Sequence, residues 1–309
     1  MKAVLIYEYG GPEVLKYGDA PLPVINPDDV LIKVFATSVN PIDWKVREGA
    51  RRGSNREFPI ILGWDVSGVI EKTGDDVQDY KVGDQVYARP DVLRNGTYAE
   101  YVAVRAGEIY FKPKTIDHIG AAAIPLAGLT AWQGLFDHGK LHAGQKILIH
   151  GAAGGVGTLA VQLAKWKGAY VIGTASEKNI AFLKELGADE VIDYHRENFE
   201  EKLKDIDMVF DTIGGETQIK SLQVLKPGGI LVSTVGIKDM DALKAKGVQG
   251  VQYGAQSVPE NLKEMAGLID AGKLKQVIAQ VLPLKEIVKA QQLSEEGHTR
   301  GKIVLKVAE

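Results

Sequence analysis

The stretch Lys146-Ile-Leu-Ile-His150, followed by Gly151-Ala-Ala-Gly-Gly-Val-Gly157 and then Thr158-Leu-Ala-Val-Gln-Leu-Ala-Lys165, constrains this chain more than any other feature. It reads as an apolar strand, a glycine-rich turn and a helix. Such a strand delivers the backbone to a turn whose small residues let it approach a pyrophosphate. The helix behind it presents N-terminal amides and the positive end of its dipole. The spacing Ala152-x-Gly154-x-x-Gly157 is a dinucleotide fingerprint with alanine at the first glycine position, and Gly155 and Val156 fill the interval. A glycine pattern alone carries little weight; its place between strand and helix is the context the motif requires. The alternative is a glycine-rich helix cap with no ligand.

From about residue 121 the pattern alternates. Residues 146–150, 169–174, 189–193, 207–212 and 228–235 read as strands with helical periodicity between them. That alternation implies right-handed crossovers and a parallel sheet covered on both faces. Residues 1 to about 120 read as mainly β. Short apolar runs such as Val30-Leu-Ile-Lys-Val-Phe35 and Val66-Ser-Gly-Val-Ile70 are punctuated by glycine and proline, and 75–87 fits a turn leading into a strand. The last part offers an apolar stretch at 276–282, a helix near 284–295 and a final strand at 302–307, pieces able to close back on the first half. The expected fold class is α/β: a doubly wound parallel sheet domain at 121–265, inserted in a mainly β domain built from 1–120 and 266–309. The 309 residues give each domain room for its own core.

Several function classes are excluded or disfavoured. The chain contains no cysteine, which removes disulfides, thiol nucleophiles, iron–sulfur ligation and any zinc site with a thiolate. A net charge of −3 offers no electrostatic reason to expect nucleic acid. No apolar run reaches the ~18 residues of a membrane span, and the first residues are too short for a signal-peptide core. A cytoplasmic protein without membrane or nucleic-acid partners is expected.

Further segments sharpen the expectation. Val39-Asn-Pro-Ile-Asp-Trp-Lys45, Gly63-Trp-Asp-Val-Ser-Gly68, Tyr80-Lys-Val-Gly-Asp-Gln-Val-Tyr87, Gly96-Thr-Tyr-Ala-Glu-Tyr101 and Leu126-Ala-Gly-Leu-Thr-Ala-Trp132 follow one another in order. In these motifs the chain resembles the medium-chain dehydrogenase/reductases over essentially its whole length. It is most similar to the zinc-independent quinone oxidoreductase branch, particularly the NADPH-dependent alkenal and enone reductases. The resemblance implies a GroES-like catalytic domain interrupted by a Rossmann domain, an active site in the cleft between them, and a homodimer. Zinc-dependent alcohol dehydrogenases of the superfamily place a cysteine and a Gly-His-Glu pattern where this chain resembles them at Asn40 and at Gly63-Trp64-Asp65. Without a Lewis acid to lower the pKa of an alcohol oxygen, alcohol oxidation is disfavoured. Reduction of an already activated small-molecule acceptor is left, with no metal.

The cofactor expectation is NADP(H). An NAD-specific site presents an acidic residue about 20 residues along, at the end of the second strand. Here the neutral Ser176 stands there and Lys178 follows two residues on, so that a 2′-phosphate meets a donor and a positive charge. The resemblance adds a tyrosine after the third strand, matched by Tyr194. Glu177 is contrary evidence, because turned inward it would accept a ribose 2′-hydroxyl.

Hydride transfer to a quinone or an enone builds negative charge on the acceptor oxygen, and the protein must hold the partners together and stabilise that oxygen. Lys45 is the first candidate, and the resemblance places a lysine at this point of the Asn-Pro-x-Asp-x-Lys pattern. Asn40 is a candidate donor to the substrate or the nicotinamide ribose, and Asp43 a candidate to orient Lys45, with turn-forming or solvated roles as the alternatives. Thr130 resembles a cofactor-touching threonine of the family; the alternative is a helix cap. Gly236, after the strand 230–235, would let the backbone near the nicotinamide, and Lys302 would reach the cofactor from the start of the last strand. Trp64 reads as a core or cleft-wall residue. The cluster Arg47, Arg51, Arg52 and Arg56 reads as a solvated face.

Two near matches to a phosphate-binding loop, at 134–140 and 267–273, have leucine in place of the magnesium-ligating Ser or Thr and follow helices rather than strands. His138 and His142 lack a helix to align them and a third ligand. The leading expectation is an NADPH-dependent reductase of quinones or α,β-unsaturated carbonyls. The alternatives are an enoyl-thioester reductase and a dinucleotide-binding regulatory protein with little turnover.

Overall fold

In the computed structural model, residues 1–50 and 57–308 are described. Two compact units emerge: Met1–Ala127 with Ser257–Gly272 and Gln276–Glu309, and Gly128–Gln256 with Lys273–Lys275. The division near 256 lies upstream of the expected 265 because the helix Pro259–Asp270 belongs to the β-rich unit. There the buried Tyr87 hydroxyl donates to Leu262 O at 2.5 Å.

The second unit is a six-stranded, all-parallel sheet. Its strands run Glu190–Asp193, Tyr170–Ala175, Lys146–Ile149, Ile206–Asp211, Leu225–Ser233 and Gln249–Gln252 across the sheet. In sequence order this is 3-2-1-4-5-6, the doubly wound arrangement in which ligands sit beyond the carboxyl ends where the order reverses. Register sets Ile172, Leu148, Val209 and Leu231 side by side, and all four are buried in one core cluster. Continuous apolar strands are what a sheet covered on both faces requires. The sixth strand was not expected, since Gln249-Gly-Val-Gln252 lies at the edge with polar ends and carries no such run.

The first unit holds a seven-stranded mixed sheet around the ten-residue strand Asp29–Ser38. Its Val30, Ile32, Val34 and Ala36 are buried at a period of two. Lys302–Lys306 pairs antiparallel with this strand and parallel with Ile278–Pro283, so the chain's last part does return to its first. Beside it lies a three-stranded sheet of Lys16–Asp19, Lys2–Ile6 and Ile60–Ile61. The helix expected near 284–295 is a short 3-10 turn, Leu284–Glu286, leading into Ile287–Glu295. No helix among the described residues is long and apolar enough to cross a membrane.

Candidate active site

In the β-rich unit the Asn-Pro-Ile-Asp-Trp-Lys segment forms the helix Pro41–Arg47, with Asn40 at its N-cap and proline in its first turn. Asp43, three residues past the cap, accepts the Asn40 N–H at 2.7 Å, satisfying an amide that the helix start leaves unpaired. The Asn40 side chain turns elsewhere. Its Nδ2 donates to Asp65 Oδ2 at 2.7 Å, and its Oδ1 accepts a short hydrogen bond from Lys302 Nζ. Lys302 also donates to Val39 O at 2.9 Å and to Asp65 Oδ2 at 3.3 Å. Asp65 further accepts from Ser38 Oγ and from the Leu126 N–H, both at 2.6 Å. Lys302, Asp65, Asn40 and Ser38 are all buried. A buried ion pair needs its remaining donors and lone pairs satisfied, and this one has them satisfied by two further chain segments, 38–40 and Leu126.

Asp43 is fully buried, and its Oδ2 also accepts from the Tyr98 hydroxyl at 2.5 Å, while Oδ1 has no hydrogen-bond partner. Removal from water pushes its carboxyl up from 3.8 to about 7, against the opposing pull of the Tyr98 and Asn40 hydrogen bonds and the Lys302 charge. The Asp43 carboxyl bonds to Asn40 and Tyr98, not directly to the Lys45 ammonium. The Lys45 side chain is exposed, with its Nζ over the Trp44 ring at 5.4 Å from the centroid. Trp64 is fully buried, a core residue.

The solvated reading of the arginine cluster fails at Arg47. Its side chain is completely buried, donating to Gly10 O at 3.1 Å, Gln291 Oε1 at 2.6 Å and Glu295 Oε1 at 2.8 Å. It falls on the same helix face as Asp43, four residues earlier, which is the inward face. Arg51, Arg52 and Arg56 lie outside the described residues.

In the parallel-sheet unit the fingerprint turn follows the first strand, with Gly154 as N-cap of the helix Gly155–Trp166. Ala152 is buried and its N–H donates to Thr174 O at 3.2 Å. The glycines differ in what requires them. A Cβ on Gly157 would lie 2.2 Å from Gly151 O and 2.6 Å from Ala152 Cα, so the protein's own backbone excludes a side chain there. A Cβ on Gly154 would meet only Gly151 O, at 3.4 Å, and otherwise open space in front of the helix start, with Gly155 and Val156 in its first turn and half-buried. Across the reversal point, Thr212 Oγ1 donates to His150 O at 3.0 Å.

Ser176 caps a 3-10 turn at the end of the second strand, and its Oγ accepts from Asn179 Nδ2 at 3.2 Å. Tyr194 follows the third strand, where its N–H donates to Ala175 O at 3.3 Å, so the two strand ends are neighbours. The Tyr194 and Lys178 side chains are exposed. Glu177 is turned toward Arg196, whose Nη2 donates to Glu177 Oε2 at 2.7 Å. Gly236 has φ 96°, in the left-handed region that favours glycine. Its carbonyl accepts from Gln218 Nε2 at 2.7 Å, and the same amide donates to the buried Asp211 at 2.7 Å. Thr130 is buried inside the helix Pro125–Trp132 rather than at a cap, and its carbonyl accepts a hydrogen bond from the Tyr253 hydroxyl.

Residues 26–114 match the model of the alcohol dehydrogenase GroES-like domain, and 186–305 match that of the zinc-binding dehydrogenases. The chain is 36% identical to the zebrafish mitochondrial NAD(P)H oxidoreductase RTN4IP1, covering 100% of this chain and 92% of that protein. Against the chloroplastic NADPH-dependent alkenal/one oxidoreductase of Arabidopsis thaliana it is 37% identical, covering 99% and 79%. The solved quinone oxidoreductase of Coxiella burnetii superposes with a TM-score of 0.93 at 39% identity, covering 100% of this chain and 99% of that one. The chain belongs to the quinone oxidoreductase branch of the medium-chain dehydrogenase/reductase family.

Within that branch, the residues reasoning from sequence did not single out are Asp65, Tyr98, Asp211 and Arg196. Two left a signal. Asp65 interrupts an apolar run beside Trp64, and Asp211 ends the apolar strand Ile206–Asp211, so both carboxylates needed buried partners. Among the described residues no three His, Asp or Glu side chains converge as a metal site.

Proposed function

We propose that the chain is an NADPH-dependent reductase that delivers hydride to quinones or α,β-unsaturated carbonyls without zinc. The observation that carries this reading is the buried Lys302–Asp65–Asn40 network. At the positions where the resemblance sets metal-binding side chains, this chain has Asn40, whose carboxamide is already engaged at both ends, and the buried indole of Trp64, and the Lys302 ammonium bonded to Asn40 repels cations. That donor set suits no Lewis acid, and suits an acceptor that needs none.

The residues of the parallel-sheet unit fit the dinucleotide. Open space at Gly154, before the amides of Gly155, Val156 and Gly157, suits a pyrophosphate. Ser176, Lys178 and Tyr194 bracket the place for a 2′-phosphate, and Thr130 and Gly236 are assigned to the nicotinamide end. NADPH supplies the hydride when bound.

Lys45 is the catalytic residue in this reading, its exposed ammonium available to an oxygen that becomes negative. Asn40, Asp43 and Lys302 are positioning residues. The Asn40 carboxamide and the three Lys302 N–H groups are spent on protein partners, and together they anchor the start of the helix whose last turn carries Lys45. The sheet edge at Gln249–Gln252 offers a place for a homodimer contact.

The test is oxidation of NADPH and NADH by metal-stripped protein with a quinone, a short enone, an enal, an enoyl-CoA and a saturated aldehyde. NADPH-specific turnover of the quinone or enone is expected, falling at least roughly tenfold in Lys45→Ala. Turnover confined to enoyl-CoA would make this a thioester reductase, and NADPH binding with no turnover would make it a regulatory protein.

A further inference from the structure

We propose that the Glu177–Arg196 pair is a specificity device, in which Arg196 withholds a carboxylate placed to read an unphosphorylated ribose. The inference rests on the dinucleotide reading above. Glu177 is the first residue past Ser176, at the carboxyl end of the second parallel strand, where an acidic side chain turned toward a bound adenosine ribose would accept its 2′-hydroxyl and repel a 2′-phosphate. Its carboxylate is instead held by Arg196 Nη2 at 2.7 Å.

Arg196 is placed for this by the neighbouring strand. Asp193 ends that strand in register with Ala175, and the Arg196 N–H donates to Asp193 O at 3.0 Å in the turn that follows. The guanidinium stays close to Asp193 as well, with Nε 3.8 Å from Oδ2. Thus the turn carrying Tyr194 also carries the cation that faces Glu177, and the second and third strand ends share both jobs. Local charge follows directly. An unpaired Glu177 would set a negative charge against a 2′-phosphate, whereas Glu177 paired to Arg196 has that charge offset.

Both partners are largely exposed, with side-chain accessibilities of 66% for Arg196 and 62% for Glu177. The pair therefore adds little to stability, and its loss should leave the fold intact. Its effect belongs to ligand discrimination, where a few-fold change in each of two affinities multiplies.

The test is equilibrium titration of wild type, Arg196→Ala, Glu177→Gln and the double variant with NADP+ and with NAD+. Wild type is expected to favour NADP+. Arg196→Ala should weaken NADP+ and strengthen NAD+, lowering the affinity ratio roughly tenfold. Adding Glu177→Gln should remove the gain toward NAD+ and recover part of the NADP+ affinity. An Arg196→Ala variant that binds NAD+ no better than wild type overturns the inference, even if NADP+ weakens, because Arg196 would then be a plain phosphate contact. Unchanged affinities for both overturn it too. Failure of wild type to bind either dinucleotide would instead sink the underlying reading along with it.

Discussion

The Tyr98 hydroxyl donates to Asp43 Oδ2 at 2.5 Å with both side chains fully out of water, and the same oxygen holds the N-cap amide of Asn40. One carboxylate thus joins a core tyrosine to the helix that presents Lys45. Its other oxygen has no partner, so the carboxyl is buried more comfortably neutral than charged.

A pH-dependent stability difference follows. The folded Asp43 value of about 7 lies above the ordinary 3.8, so the folded state holds a proton that the unfolded state has released. Stability from this group is complete below pH ~3.8 and is lost as pH rises through about 7, at roughly 1.4 kcal/mol per pH unit in between. Buried His150 and partly buried His118 act oppositely. Desolvation lowers each to about 4, so they contribute above the ordinary histidine value of 6.5 and lose that contribution as pH falls through 4. The difference between wild type and Asp43→Asn isolates the carboxyl. Melting temperatures measured from pH 4 to 8 should show wild type losing ground to the variant as pH rises; parallel curves would mean that Asp43 ionises normally.

The two fingerprint glycines should separate fold from ligand. Gly157→Ala drives a methyl into the Gly151 carbonyl and should cost about 1–3 kcal/mol of stability. Gly154→Ala has room within the protein at an ordinary φ of −78° and should change stability by only a few tenths of a kcal/mol from the weaker N-cap. Even so, it should weaken NADP+ binding severely, because its methyl occupies the space before the helix start. Paired melting and titration curves check both, and an intact NADP+ affinity in Gly154→Ala would move the pyrophosphate elsewhere.

How much of this was legible follows from the range of each interaction. The strands at 146, 170 and 206 announce themselves because a doubly covered parallel strand is largely apolar, the stretches Val191-Ile192 and Ile230-Leu-Val232 do so in shorter form, and the turn glycines are local as well. The edge strand at 249–252 has no such pattern. Lys45 and Asp43, two apart in sequence, look like partners, yet a helix sends residues at that spacing to different faces. The partners that matter are remote: Lys302 lies 237 residues from Asp65, and Arg47 lies 244 from Gln291. Nothing local distinguishes the buried Arg47 from an exposed arginine, so composition alone assigned it to solvent.

Arg47→Met should therefore behave as a core substitution. It removes a buried guanidinium that ties Gly10, Gln291 and Glu295 together, and a cost of about 2–4 kcal/mol is expected, less than for a wholly buried pair because Glu295 is partly exposed. Arg47→Lys keeps the charge but not the planar fork that reaches four acceptors, Glu48 Oε1 among them, and should recover only part of the loss. Urea unfolding of the three proteins decides it. Equal midpoints would return Arg47 to the surface.

Lys302 offers the sharpest separation of charge from packing. Replacing it with methionine strips Asp65 of its ammonium and leaves Asn40 Oδ1 and Val39 O without a donor, while Ser38, Asn40 and Leu126 still bond to the carboxylate. A buried charge stranded in this way typically costs about 3–5 kcal/mol. Adding Asp65→Asn removes the stranded charge, so the double variant should be more stable than Lys302→Met alone, although it carries one more change. Turnover adds a second readout. If Lys302 acts by anchoring the Asn40 end of the Pro41–Arg47 helix, both variants should lose kcat with the NADP+ affinity nearly unchanged, since the ammonium's three hydrogen bonds all go to protein. A selective loss of NADP+ affinity would instead return Lys302 to the cofactor.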